Sequence, residues 1–139
     1  MAGRRGRTAL GGTVVLDADG VSKAAAADRL VHAMLPSARH RDAQVVVSAV
    51  TLAEVLRGMP RDAATYRVLT RVAELPVTSE IGRAAGALLG STGLSGATVD
   101  AVVAATALRQ PDPVLLVTSH PSDMAALTAS RTDLAVAAV

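Results

Sequence analysis

Thr13–Leu16, Val114–Thr118 and a third run at residues 45–47 are apolar almost without interruption and rich in β-branched side chains. A strand with one face in water alternates apolar and polar residues, whereas a run without alternation has to be covered on both faces. Each run is followed by a stretch long enough for a helix. Helices are expected over residues 24–34, ended by Pro36, then 52–57, closed by Gly58 and Pro60, and then 62–74, 80–89, 99–109 and 123–129. Residues 75–78 and 134–139 read as two further strands, and 39–44 and 90–96 as loops. Strands alternating with helices in this way predict an α/β fold: a three-layer α/β/α sandwich around a central, mainly parallel sheet of four to five short strands.

A chain of 139 residues, 50% hydrophobic and 19% charged, suits a single core. The domain is expected over residues 13–139, after a basic N-terminal tail at 1–12 that carries Arg4, Arg5 and Arg7. The sequence has no cysteine, which excludes disulfides and thiolate metal sites. No apolar run approaches the ~18 residues of a membrane span. Gly11, Gly12 and Asp17 break the first apolar stretch, which is unlike a secretory signal. A soluble cytoplasmic protein is the expectation. A net charge of +2 makes only a weak case for nucleic acid, and Tyr66, the single Phe, Trp or Tyr ring, cannot form a platform for several stacked bases. A polyanion would therefore be held by arginine. Arg57, Arg61, Arg67 and Arg71 follow the second strand, where they serve either that purpose or an ordinary solvated face.

In parallel α/β sheets, ligands bind at the carboxyl ends of the strands. Asp17 follows the first strand, with Asp19 two positions on. Glu54 follows the second, in what reads as the first turn of the next helix. Asp100 opens the helix after the Gly-rich loop, and His120 and Asp123 follow the fourth strand. Carboxylates crowded into one cleft repel one another unless a cation compensates, and hard oxygen ligands suit Mg²⁺ or Mn²⁺. Such an ion activates water and stabilises charge on phosphorus, so phosphoester hydrolysis is the chemistry the cluster suggests.

Each acid also has a local use. Asp-Ala-Asp-Gly is turn chemistry, Thr51 to Glu54 fits a capping box, and Asp100 and Asp123 are favourable charges at helix starts. Asp17-Ala18-Asp19-Gly20 is also similar to the nucleophile motif of haloacid-dehalogenase-like phosphatases. That chemistry requires a downstream lysine, and the only lysine, Lys23, stands too near the motif.

The four blocks in order resemble the PIN-domain ribonucleases, in particular the VapC-like toxins of toxin–antitoxin pairs. Val14-Val15-Leu16-Asp17 is similar to the opening block, and residues 47–58, with Glu54, to the second. Residues 98–107, with Asp100, resemble the third block and residues 114–124 the fourth. The resemblance implies an endoribonuclease dependent on Mg²⁺ or Mn²⁺, a homodimer, and a cognate antitoxin that docks in an apolar groove. It assigns catalytic roles to Asp17, Glu54, Asp100 and Asp123, with Asp17 and Asp100 as metal ligands. His120 stands where the family usually has Asp or Asn, so the fourth position falls either to Asp123 or to His120. A PIN fold that binds RNA or an antitoxin without cutting is the alternative from another functional class.

Overall fold

In the computed structural model, which describes residues 11–139, five strands form one parallel sheet. They are β1 (Thr13–Leu16), β2 (Gln44–Ser48), β3 (Ala73–Leu75), β4 (Val114–Thr118) and β5 (Leu134–Ala138), in the order β3-β2-β1-β4-β5. The basic tail expected at residues 1–12 lies, up to residue 10, outside the described residues. The helices are α1 (Ala18–Ala25), α2 (Arg29–His40), α3 (Ala49–Val55), α4 (Ala63–Leu69), α5 (Ser79–Thr92), α6 (Thr98–Ala107) and α7 (Pro121–Leu127), with a 3₁₀ turn at Pro60–Asp62.

Alternate residues of the central strands point to opposite faces. Val15, Val46 and Leu116 pack with Ile81, Ala85, the buried alanines of α6, and Met124 and Leu127. Val14, Leu16, Val47 and Val117 pack with Val21, Val31, Leu35, Val68 and Leu69. The sheet therefore has α5, α6 and α7 on one face and α1, α2 and α4 on the other. This is the expected three-layer α/β/α architecture, with every strand pairing parallel.

Several element boundaries differ from the sequence reading. The segment read as one helix at 24–34 is two helices. Asp17 caps α1, its Oδ1 accepting from Gly20 N at 2.9 Å, so the turn-like Asp-Ala-Asp-Gly is a helix start. The break comes at Ala27, with φ of 57°, and Asp28 Oδ1 then accepts from the amides of Leu30 and Val31 to start α2. Pro36 lies inside α2 rather than ending it. It is on the exposed side, where the carbonyl that loses its partner can turn toward water. Helix α3 begins at Ala49 because Ser48 Oγ accepts from Val50 N at 3.3 Å; the Thr51–Glu54 capping box is not formed. The helix expected at 62–74 is the shorter α4, and its last residues are β3, two residues earlier than the strand read at 75–78. Helix α5 runs through Gly90 to a left-handed cap at Gly93, where φ is 69°.

Candidate active site at the carboxyl edge

The strand order turns about β1: β2 and β3 lie to one side, β4 and β5 to the other. The crevice between β1 and β4 is the place where a parallel sheet of this kind binds ligands. Leu16 pairs with Val117, and Asp17 N donates to Val117 O at 3.0 Å. This register sets Asp17 beside Ser119, whose amide donates to Asp17 Oδ2 at 3.3 Å. Asp17 is buried, with both carboxylate oxygens accepting backbone N–H groups. Helix α1 packs against the strands here: a Cβ at Gly20 would be in ordinary contact, 3.4 Å from Leu16 and Val117 side-chain atoms. Ser119 Oγ donates to Asp19 Oδ2, tying the first turn of α1 to the end of β4 across 100 residues of sequence.

Asp100 lies in the first turn of α6, and its side chain is 18% exposed. Its Oδ2 meets His120 Nδ1 at 3.1 Å. Burial holds the Asp100 pKa above the ordinary carboxylate value; His120 opposes that, while Asp17 and Asp123 reinforce it. The pKa of Glu54 is raised too, by loss of solvation first and then by the charges of Asp100, Asp17 and Asp19. Glu54 itself stays exposed. The His120 pKa is raised, with the charge and hydrogen bond of Asp100 as the leading causes. Among the described residues no lysine or arginine is within ion-pair distance of Asp17, Asp19, Glu54 or Asp100.

The fold thus brings Asp17, Glu54 and Asp100 within electrostatic reach of one another from three distant segments. Glu54 arrives from the last turn of α3, not the first turn expected. Asp123, in the first turn of α7, reaches the group weakly, as the smallest of the influences on Asp100. The sequence reading did not place Ser119 or Asp62 in the site. A polar residue straight after an apolar strand was the available signal for Ser119. Asp62 Oδ2 accepts from the amides of Arg57, Gly58 and Met59 at 2.9, 2.8 and 3.2 Å, and so holds the loop that leaves α3 just after Glu54.

Among the described residues no group of three or more His, Asp or Glu forms a ready-made metal cage. The donors nevertheless fit a hard divalent ion. Mg²⁺ usually takes one or two carboxylates and fills its remaining positions with water and phosphate oxygens. Burial and the neighbouring carboxylates raise the pKa values of Asp100 and Glu54, and a divalent cation held between such groups would offset that repulsion.

A model of the PIN domain matches residues 14–119, more than half of the chain. The chain belongs to the PIN-domain family. The match begins at β1 and ends at Ser119, so it spans Asp17, Glu54 and Asp100 of this PIN domain. The assignment displaces the phosphatase alternative, whose required lysine would have to be Lys23, in the last turn of α1. Solved structures share the fold. One is VapBC2 from Rickettsia felis bound to a DNA fragment from their promoter, with a TM-score of 0.68 at 15% identity over 91% of this chain and 98% of that one. A toxin–antitoxin complex from Klebsiella pneumoniae gives 0.63 at 19% identity over 87% and 94% of the two chains. VapBC-1 from nontypeable Haemophilus influenzae gives 0.61 at 18% identity over 91% and 97%. No curated protein sequence matches the chain.

Proposed function

We propose that this PIN domain is an endoribonuclease dependent on Mg²⁺ or Mn²⁺, and the toxin of a toxin–antitoxin pair. The observation that carries the reading is the convergence of Asp17, Glu54 and Asp100 at the carboxyl edge, with no lysine or arginine among the described residues paired to them and only the His120 imidazole against Asp100. Asp17 and Asp100 would hold the ion. Bound there, it would supply charge neutralisation on the scissile phosphate and acidify a water. Asp17 is fixed for this by two backbone amides, and Glu54 orients what binds beside it. The fourth position falls to Asp123, whose charge reaches Asp100, or to His120, which contacts it.

RNA is the substrate proposed, held through phosphates by arginine, in the cytoplasm where RNA is abundant. Arg67 and Arg71 line a concavity of about 260 Å³ between α1, α2 and α4, with His32 and Leu35. Arg57 is less available, because its Nη1 donates to Ala53 O and Leu56 O. The solved relatives that are toxin–antitoxin complexes support an antitoxin as protein partner, and the family resemblance supports a homodimer. No helix among the described residues is long and apolar enough to cross a membrane.

One feature favours the alternative of a PIN fold that binds RNA or an antitoxin and cuts nothing: Asp100, a proposed ligand, is engaged by His120. A cleavage assay decides between them. The purified chain should cut RNA with Mn²⁺ or Mg²⁺ and stop when the ion is chelated. RNA binding with no cleavage under either ion would establish the silent module instead.

A further inference from the structure

The imidazole facing Asp100 gives the carboxyl edge a nitrogen donor among its oxygens. His120 is the residue before α7, and two contacts fix its backbone: His120 N donates to Thr118 Oγ1 at 2.9 Å, and His120 O accepts from Met124 N at 3.0 Å. Thr118 is fully buried, so the base of the imidazole is held by the sheet. The ring itself is open to solvent, with 58% of the side chain exposed, and its Nδ1 stands 3.1 Å from Asp100 Oδ2. Ligands bonded at about 2.0–2.2 Å to an octahedral ion lie about 3 Å apart when they occupy neighbouring positions. The contact as it stands is a hydrogen bond, the spacing of any N–H···O pair; it keeps the two donors close enough to reach one ion once the imidazole gives up its proton and turns, each from an element with a fixed backbone.

We propose that His120 Nδ1 binds the same divalent cation as Asp100, so that the site prefers a first-row transition ion, represented by Mn²⁺, over Mg²⁺. The inference rests on the metal-dependent reading above and specifies its ion. The physical reason is the donor set. Mg²⁺ holds to oxygen and water, while affinity for imidazole rises through the first-row transition series. A lone His120–Asp100 hydrogen bond on the surface would contribute little to stability and no metal preference.

The test is the nitrogen coupling of bound Mn²⁺ in the full chain, measured by electron spin echo envelope modulation, with calorimetric titration of Mn²⁺ and Mg²⁺. The expected result is a ¹⁴N coupling from a directly bound imidazole. It should disappear in His120→Gln and persist when His32 and His40, both exposed, are replaced together by Gln. Mn²⁺ affinity should fall by about tenfold in His120→Gln, while Mg²⁺ affinity stays within about twofold. If His120→Gln does not fold, the double variant still assigns the coupling, because His120 is then its only histidine. Mn²⁺ bound without nitrogen coupling, or a coupling that survives His120→Gln, overturns the proposal. RNA cleavage by the same preparation would in that case leave the nuclease reading standing. No Mn²⁺ bound and no RNA cut would remove both.

Discussion

At the carboxyl edge of the sheet, Asp17, Asp19, Glu54 and Asp100 come within electrostatic reach of one another, with His120 the basic side chain in contact with them among the described residues. At the amino edge the charges are consumed by structure. Arg131 Nη1 donates to Gln110 O at 2.8 Å and Leu108 O at 3.2 Å, closing the end of the α6 segment, and its Nε bonds Asp133 Oδ1 at 2.6 Å. Thr13 Oγ1 donates to Pro111 O at 3.0 Å. A concavity of about 600 Å³ also lies at the amino edge, lined by Gly11, Thr13, Arg41, Pro113 and Asp133, away from the acids. The contrast separates size from chemistry. The amino edge has a concavity and satisfied polar groups; the carboxyl edge has charges that fold stability alone does not explain. A small cation with a phosphate needs the second arrangement, not the first.

The largest effect expected on this contrast is from the acids. Asp17→Asn and Asp100→Asn should each lower RNA cleavage by roughly a hundredfold or more, measured as single-turnover rates. Stability should move little. Asn keeps the cap to Gly20 N and gives up the long bond from Ser119 N, about 1 kcal/mol, while removing a charge relieves repulsion. A variant that cuts normally would place the chemistry elsewhere. Arg131→Ala should do the reverse: cleavage unchanged, and stability lower by about 1–3 kcal/mol in urea unfolding, because the carbonyls of Leu108 and Gln110 lose their donor. Equal loss of activity would dissolve the division between the two edges.

Smaller effects come from groups beside the acids. Glu54→Gln should slow cleavage by about tenfold, with the Mn²⁺ requirement retained; full activity would make Glu54 a bystander. Asp62 adds a pH signature. Backbone hydrogen bonds from Arg57 lead in holding its pKa below the ordinary 3.8, so its folded value is depressed. Its stabilising contribution is then present above 3.8 and fades as pH falls through the lower folded value. Acid unfolding of Asp62→Asn should lack that part of the pH dependence; an unchanged acid limb would show that the loop does not depend on this carboxylate.

How far the sequence led depended on the range of the interaction involved. Thr13–Leu16 and Val114–Thr118 were legible because a fully covered strand is apolar throughout. Ala73–Leu75 was misplaced by two residues: it is three residues long, pairs only with β2, and carries the exposed Glu74. Helix α1 was read as a turn because Asp17 serves at once as strand end and helix cap. At the site, residue types at the strand ends pointed to Asp17, Glu54 and Asp100, and the fold brings them near one another. The pairings that organise them were invisible locally. Ser119 with Asp17 and Asp19, and His120 with Asp100, depend on the register of β1 against β4 and on where α6 begins.

The central claim is that the carboxyl-edge acids hold the cation on which RNA cleavage depends. Its most direct test follows Mn²⁺ binding by calorimetry and RNA cleavage in parallel, on the wild-type chain and on Asp100→Asn. The account predicts a bound ion in the wild type, cleavage rising over the same Mn²⁺ concentrations as binding, and both strongly weakened together in the variant. Cleavage that continues in chelator, or Mn²⁺ binding that Asp100→Asn leaves intact, would contradict it.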